Sequence, residues 1–226
     1  MIVIQAGMPR SGSTFAFNIL REALRTCGTV YQESSEDLRG AIDRSNGADH
    51  VLLKTHALDG PSTELAKAGG ARIIITVRRI EDAMASWLTA FEETGETMAI
   101  DVMRNWLCTY RNLHADALIV RYDEIDRLPW LAAWRMARTA CPGIRPASVL
   151  RIARRYRKSI VKQRTDSMTP GAHFEDIGFS FYDRETFFHR RHVSALKSRC
   201  AEEGISLERL ADWRERLRYD IAAAGL

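Results

Sequence analysis

The chain has 226 residues, of which 46% are hydrophobic and 27% are charged, and these values are ordinary for a soluble globular protein. Its length predicts a single domain over residues 1–226. No apolar run approaches the ~20 residues of a membrane-spanning helix, and the N-terminus lacks the features of a signal peptide. We therefore expect a cytoplasmic protein without an integral membrane segment. The net charge of +4 is compatible with an anionic cofactor or substrate and does not by itself indicate a nucleic-acid partner.

The residues that most often bind metals are scattered along the chain. The wide spacing of the cysteines predicts buried free thiols, and it predicts no metal site. His189 and His192 lie three residues apart on a predicted helix but have no third ligand in view, so we interpret them as surface histidines. The four cysteines form no C-x-x-C pair and are Cys27, Cys108, Cys141 and Cys200.

The first motif is the loop over residues 7–14, with the sequence Gly-Met-Pro-Arg-Ser-Gly-Ser-Thr. It follows a short apolar run and precedes a segment with helical apolar spacing, which predicts the order strand, loop, helix. Such a loop and the positive end of the helix dipole together favour a phosphate-like anion. Gly7 and Gly12 have the Walker A spacing, but Ser13 stands where that motif needs its Lys. Because the nearest loop cation is Arg10, the loop is typical of an anion site without ordinary ATP chemistry.

Short apolar segments then alternate with amphipathic ones. This alternation predicts a parallel sheet with right-handed crossovers, in a three-layer α/β/α domain like that of the P-loop NTPases. The run at 71–77 is apolar almost throughout, as a central strand should be. The predicted strands are 29–32, 51–53, 71–77 and 117–120, and the predicted helices begin near residues 34–37, 61 and 81 and cover residues 98–113.

From Trp130 onward the pattern predicts a helical C-terminal part, with a long loop over residues 167–181. The basic stretch 151–158 is interpreted as a solvated helix face, with attraction of an anionic cofactor or an acidic acceptor as the alternative. The predicted helices are 131–140, 146–160, 184–200 and 207–223.

Polar side chains follow four of the predicted strands. The loop 7–14, Lys54 with His56, Arg78 and Tyr122 all fall at predicted carboxyl ends. Because ligands bind outside the carboxyl ends of the strands in open parallel sheets, we expect these groups to converge on one edge.

Two of these segments resemble motifs of the sulfotransferases that use 3′-phosphoadenosine 5′-phosphosulfate (PAPS). Residues 9–15, Pro-Arg-Ser-Gly-Ser-Thr-Phe, resemble the family's 5′-phosphosulfate loop, which reads P-K-S-G-T-T-W in cytosolic members and has Arg for Lys in a number of relatives. Residues 77–87 resemble the motif in which an Arg at a strand end and a Ser eight residues later bind the 3′-phosphate. In this chain these residues are Arg78 and Ser86.

Two further segments extend the resemblance over roughly residues 1–125. Lys-Thr-His at 54–56 is similar to the stretch that supplies the family's catalytic base. Arg-Tyr-Asp-Glu at 121–124 is similar to a stretch whose Tyr approaches the adenine. The order and spacing of all four segments agree with the family.

The resemblance implies in-line transfer of the sulfuryl group from PAPS to a hydroxyl or amine, without a metal, releasing adenosine 3′,5′-bisphosphate (PAP). It implies His56 as the general base. Arg10 would contact the sulfuryl or bridging oxygens, and Lys54 would either neutralise developing charge or orient the acceptor. The implied cofactor-binding residues are Arg10, Ser11, Gly12, Ser13, Thr14, Phe15, Arg78, Ser86 and Tyr122.

The acceptor and the C-terminal part of the cofactor site are less defined. The acceptor is expected to be a small molecule, a sugar or a lipid-linked compound; Trp87, Phe91 and Phe181 either line an apolar slot for it or belong to the core. The family's closing R-K-G-x-x-G-D-W element is not recognisable in this sequence. Residues 173–178 occupy about its place, and the candidate substitutes for its cation are Lys162 and Arg164.

Other interpretations of these residues remain open. Tyr122 could only pack against the sheet edge, and Arg78 could pair with an acid of the next helix. An atypical P-loop nucleotide kinase or phosphotransferase is disfavoured by Ser13 and would need magnesium. A nucleic-acid-binding module using residues 151–158 would bind with steep salt dependence, but the stretch has no interleaved aromatic residue besides Tyr156.

Overall fold

A five-stranded parallel sheet lies at the centre of the computed structural model, which describes residues 1–91, 94–169, 174–176, 181–189 and 205–226. The strand order is β2-β3-β1-β4-β5, with every neighbouring pair parallel. The predicted α/β architecture is therefore confirmed. The strands are β1 Ile2–Ala6, β2 Val30–Ser34, β3 His50–Thr55, β4 Ala71–Val77 and β5 Ala117–Arg121.

Helices cover both faces of the sheet. The first five are α1 Ser13–Leu24, α2 Leu38–Arg44, α3 Gly60–Leu65 (followed by a π-helical turn, Ala66–Gly70), α4 Ile80–Ala90 and α5 Gly95–Leu113. The C-terminal five are α6 Tyr122–Arg127, α7 Pro129–Ala140, α8 Pro146–Arg155, α9 Lys158–Asp166 and α10 Leu207–Ala224.

Alternate residues of each central strand enter two separate cores. Val3 and Ile74 pack with α1, α7 and α8, whereas Ile4 and Ile75 pack with α4, α5 and α10. Successive side chains of a strand point to opposite faces, so a strand covered on both faces is apolar at nearly every position. This is why the signal of the central strands was strong in the sequence.

The predicted helix 146–160 is two helices, because the chain breaks between α8 and α9. Tyr156 and Arg157 have non-helical backbone angles, and both Tyr156 and Val161 are buried in the core beside α1. On one continuous helix these two side chains would point about 140° apart around the axis. The break allows both side chains to enter the same core.

The loop predicted over 167–181 is correct at 167–169 and wrong at 174–176 and 181, where strands form, and the helix predicted over 184–200 is wrong at 184–189. Two short strands, β6 Phe174–Asp176 and β7 Phe181–Asp183, pair antiparallel, and His189 forms a bridge with Tyr182. Asp183 Oδ1 accepts hydrogen bonds from the backbone N–H groups of Glu185 (3.0 Å) and Thr186 (2.7 Å), which closes a turn instead of a helix. Residues 190–200 of the predicted helix lie outside the described residues.

The segment 181–189 is fastened to α1 by buried polar side chains. Asn18 Nδ2 donates to the carbonyl of Thr186 at 2.8 Å, and Arg21, 1% exposed, donates to the carbonyl of Glu185 and to the Tyr156 hydroxyl (2.8 Å). These bonds satisfy a guanidinium that would be costly to bury unpaired. They also place the segment beside the carboxyl edge of the sheet.

Cys27, Cys108 and Cys141 are free thiols, as predicted; the predicted burial is correct for Cys141 and wrong for Cys27 and Cys108, which are exposed. Cys27 lies beyond the last turn of α1, and Cys108 lies on the outer face of α5. Cys200 lies outside the described residues.

The loop after β1 approaches β4 so closely that its first position has no space for a side chain. Met8 N–H donates to the Thr76 carbonyl at 2.8 Å, and Ser11 Oγ lies 2.7 Å from Thr76 Oγ1 and donates to the Met8 carbonyl at 2.6 Å. A Cβ on Gly7 would lie 2.6 Å from Ser13 Cβ and nearer still to Thr76 Oγ1 and Gln5 Nε2. The loop conformation therefore depends on glycine at position 7.

Replacing Gly7 by alanine should lower the free energy of unfolding by about 1–3 kcal/mol, because the added methyl overpacks this contact. Urea denaturation of wild type and Gly7→Ala would measure the change. Gly143→Ala is the matched control, since a Cβ there meets no atom within 4 Å. Equal stability of both variants would contradict the close approach.

Candidate functional site

A cavity of about 580 Å³ opens at the carboxyl edge of the sheet. The loop after β1, the ends of β3 and β4, the start of α6, the α8–α9 junction and the segment 182–189 all contribute to its wall. The predicted convergence of polar groups at this edge is thus observed. The predicted site residues that line the cavity are Arg10, Gly12, Ser13, Thr14, Phe15, Lys54, His56, Arg78, Ser86 and Tyr122.

Backbone N–H groups at the start of α1 lie at the floor of this cavity. Gly12 adopts a left-handed conformation (φ 84°) immediately before the helix, and Arg10 has φ 62°. The N–H groups of the first helical turn have no intrahelical acceptor and carry the positive end of the helix dipole. This part of the wall is suited to an anion.

Ser11 is the predicted site residue that does not line the cavity. Its side chain is fully buried and donates to the Met8 carbonyl (2.6 Å), while its backbone N–H donates to the same carbonyl (3.2 Å). The serine therefore holds the loop in shape from behind. The sequence did not distinguish its orientation from that of Ser13, because both lie in one irregular loop.

Two arginines of the cavity wall are tied to each other and to α4. Arg10 Nε donates to Ser86 Oγ at 3.1 Å, and Arg78 Nη1 donates to the Arg10 carbonyl at 3.1 Å. Burial, and then the positive charge of Arg78, lowers the pKa of Arg10 to about 10, so the guanidinium stays charged at neutral pH. The predicted spacing of Arg78 and Ser86 does bring both to one site.

Tyr122 lies flat beside Arg78. The Arg78 guanidinium carbon is 4.3 Å from the centroid of the Tyr122 ring, within the range of a cation–π contact. Tyr122 is half-buried at the first position of α6, a helix that the sequence did not predict. Its ring lines the cavity and orients the arginine.

Lys54 is a buried lysine that faces the cavity. Its ammonium group lies 5.8 Å from the centroid of the Phe187 ring, and within the described part of the chain no oxygen accepts a hydrogen bond from it. Burial lowers the pKa of Lys54 to about 8. A charged amine in this position is costly until an anion lies beside it.

His56 is held by one ring nitrogen. Its Nδ1 lies 2.6 Å from the carbonyl of Gly7, which can only accept, so Nδ1 carries the proton and Nε2 has the free lone pair. Burial, and then the charge of Lys54, lowers the pKa of His56 to about 3. The imidazole is therefore neutral at pH 7, with its basic nitrogen available.

Arg157 and Lys158 line the cavity at the α8–α9 junction, and sequence analysis treated them as part of a solvated face. They reach it because the helix breaks at Tyr156, which no local pattern indicated. Lys162, one of the candidate substitutes for the family's closing element, instead pairs with Asp166 at 2.7 Å, and neither it nor Arg164 lines the cavity. Residues 173, 177 and 178 of that region lie outside the described residues.

One side of the cavity is aromatic. Phe91 lies 4.9 Å from Trp87 and 5.3 Å from His189, and Tyr182 packs edge-on against His189 at 5.0 Å, all between ring centroids. The sequence left open whether Trp87 and Phe91 line an apolar slot or belong to the core, and both line the cavity. The side chain of Phe181 lies outside the described residues. His189 is 2% exposed, so its prediction as a surface histidine is wrong.

The described residues contain no group of three or more His, Cys, Asp or Glu side chains that could hold a metal ion. Among the same residues, none of the helices combines the length and the apolar character needed to cross a bilayer.

Comparison with known proteins identifies the fold. No protein-family model and no curated protein sequence matches the chain. Three solved structures align with 97% of it: mouse sulfotransferase SULT7A1 complexed with PAP (12% identity, 84% of that chain, TM-score 0.64), retinol dehydratase with retinol and PAP (11%, 81%, 0.61), and retinol dehydratase with androsterone and the inactive cofactor PAP (11%, 80%, 0.62). The chain has the α/β fold of PAPS-dependent sulfotransferases.

Lys54→Met should stabilise the protein at pH 7, by up to ~3 kcal/mol, because it removes a buried charge. The folded-state pKa of Lys54 is about 8 against 10.5 for an ordinary lysine, so between these values the unfolded chain binds a proton that the folded one does not. Wild type therefore gains stability as pH rises from about 8 to 10.5. The difference in free energy of unfolding between the variant and wild type (the gap) becomes smaller over this range.

Urea denaturation of both proteins at several pH values between 7 and 10.5 would measure this gap. Lys67→Met, which removes an exposed lysine, is the control and should show no such pH dependence. A gap that stays constant across this range would contradict the lowered pKa of Lys54 in the folded protein.

Proposed function

We propose that this protein is a sulfotransferase that moves the sulfuryl group of PAPS to a hydroxyl or amine of a small acceptor. The observation that carries the proposal is the convergence of Arg10, Lys54 and Arg78 with a neutral His56 in one cavity at the N-terminus of α1. The PAP-bound proteins of the same fold support it.

The donor set fits a nucleotide that carries charge at two separated positions. The N–H groups from Gly12 to Phe15, with Arg10 and Lys54, would hold the 5′-phosphosulfate. Arg78 and Ser86 would hold the 3′-phosphate, with Arg157 and Lys158 as additional cations of the cavity wall. The lack of an acceptor for Lys54 among the described residues supports an anion there, and PAPS when bound supplies the sulfuryl group.

His56 would remove the proton of the acceptor. The hydrogen bond from Nδ1–H to the Gly7 carbonyl fixes the ring and leaves Nε2 as the proton acceptor. An anionic ligand beside Lys54 offsets the positive charge that lowers the pKa of His56, so the imidazole becomes a stronger base when the cofactor is present. Lys54 and Arg10 would stabilise the negative charge that develops on the leaving side.

The acceptor would lie against the aromatic side of the cavity. Phe91, Tyr182 and His189 present aromatic rings that suit a planar body, and the polar groups of these three side chains are the Tyr182 hydroxyl and the His189 ring nitrogens. We therefore propose a small aromatic or otherwise planar alcohol or amine in preference to a sugar.

Calorimetric titration with PAP, ATP and adenosine 5′-monophosphate, in the presence of a chelator, tests the cofactor class. We expect PAP to bind most tightly. Arg78→Ala should weaken PAP by tenfold or more, the usual cost of a lost charged hydrogen bond. It should weaken adenosine 5′-monophosphate far less, because that nucleotide lacks the 3′-phosphate.

The matched control is Arg79→Ala, which removes the neighbouring arginine, whose side chain is 72% exposed and does not line this cavity. Its affinity for PAP should stay within about twofold of wild type. A preference for ATP would favour the kinase alternative, and equal losses for both nucleotides in Arg78→Ala would remove Arg78 from the 3′-phosphate site.

His56→Ala should reduce sulfuryl transfer from PAPS by at least ~10²-fold, the usual contribution of a general base, while PAP affinity changes little. Product formation would be measured with a simple phenol and with a hexose, and we expect turnover of the phenol. His114→Ala removes an exposed histidine at the end of α5 and should leave the rate unchanged. A rate near wild type for His56→Ala would exclude His56 as the base, and turnover of the hexose alone would exclude the aromatic acceptor.

A further inference from the structure

Two thiols that are distant in the sequence lie in contact on the side of the sheet that carries α1 and α7. Cys27 Sγ and Cys141 Sγ are 2.9 Å apart, although 114 positions separate the residues in the chain. A disulfide bond is about 2.05 Å long, so the two sulfurs would need to move less than 1 Å closer to reach bonding distance. The pair lies at the C-terminal end of α1, whereas the cavity loop precedes its N-terminal end.

Both cysteines lie just beyond the last residue of a helix. Cys27 follows the end of α1, and Cys141 is the residue at which α7 ends, with extended backbone angles (φ −136°, ψ 87°). Both backbone N–H groups donate to the last turn of their helix, Cys27 to the Leu24 carbonyl (2.9 Å) and Cys141 to the Ala137 carbonyl (2.7 Å), so the sulfurs would approach by side-chain rotation without unwinding either helix. Arg72 of β4 donates to the carbonyls of Thr139 (2.5 Å) and Ala140 (3.1 Å), which holds the end of α7 against the sheet.

The two sulfurs differ in their access to solvent. Cys27 is exposed, whereas Cys141 is 8% exposed and belongs to the core cluster beside α1. An oxidant in solution therefore meets Cys27 first, and Cys141 is positioned to attack the Cys27 sulfur from within. Cys108, which is also exposed, has no second sulfur beside it among the described residues.

We propose that Cys27 and Cys141 form a reversible intramolecular disulfide when a small-molecule disulfide such as oxidised glutathione is the oxidant. The Cys27 thiolate attacks the small disulfide, forming a mixed disulfide and releasing one small thiol. The Cys141 thiolate then attacks Cys27 Sγ and releases the second small thiol. The protein pair loses two electrons and two protons, and one small disulfide becomes two thiols.

The reaction should be faster at alkaline pH. Partial desolvation, and then the hydrogen bond to Cys141, raises the pKa of the Cys27 thiol, while the positive charge of Arg72 acts in the opposite direction. Because the thiolate is the attacking species, the initial rate should rise about tenfold per pH unit below that pKa. The inference is independent of the proposed sulfotransferase activity, since it is measured by mass and not by turnover.

The test uses full-length protein with Cys108→Ser and Cys200→Ser, so that Cys27 and Cys141 are the remaining thiols. After incubation with oxidised glutathione and acid quenching, intact mass and a non-reducing peptide map are recorded. We expect the mass to fall by two hydrogens and the two cysteine peptides to be joined, with full return of both thiols on addition of dithiothreitol. In the same background, Cys141→Ser should instead accumulate the glutathione adduct on Cys27.

A stable glutathione adduct on Cys27 beside a free Cys141 would overturn the proposal, and so would protein that keeps both thiols unmodified. A second readout is urea denaturation of the reduced and oxidised forms. Closure of so long a loop should lower the unfolding equilibrium constant by about a hundredfold or more, and dithiothreitol should reverse the change. An oxidised form no more stable than the reduced one would mean that the bond strains the fold and is not a native pairing.

Discussion

The close approach of the first loop to β4 is the constraint on which the cavity depends. With no side chain at Gly7, the loop can lie on Thr76, where Ser11 and the Met8 backbone bind it. The same approach leaves the Gly7 carbonyl facing His56, so one glycine determines both the direction of the α1 N-terminus and the tautomer of the histidine. The proposed anion site and the proposed base are in this way linked through the backbone of a single residue.

The clustered positive charges of the cavity lower the stability of the fold and favour an anionic ligand. Arg10, Lys54 and Arg78 lie together at one edge, and burial lowers the pKa of both Arg10 and Lys54. Positive charges held close together in a partly buried site repel one another and lose hydration. An anion that lies among them removes both costs, which is a physical reason for a site of this composition to prefer a ligand with several negative charges.

The second half of the cavity wall is brought in from a part of the chain that is not in the sheet. The segment 181–189 is fastened to α1 by Asn18 and Arg21, and it brings His189 into contact with Phe91 and with Tyr182. The break between α8 and α9 similarly turns Arg157 toward the same space. In the proposed function the sheet edge would supply the groups that bind the donor, and the C-terminal part would supply the remaining wall.

The sequence by itself determined the parallel sheet and the groups at its carboxyl edge. Strands buried on both faces must be apolar throughout, and ligand groups lie after the strand ends, so Lys54, His56 and Arg78 were readable from local patterns, whereas Ser86 was assigned by the resemblance to the family's motif. The tertiary structure alone decided that Ser11 points inward, that Tyr156 breaks a helix, and that His189 is buried beside Phe91. These features depend on contacts between residues far apart in the chain, which leave no periodic signal in the sequence.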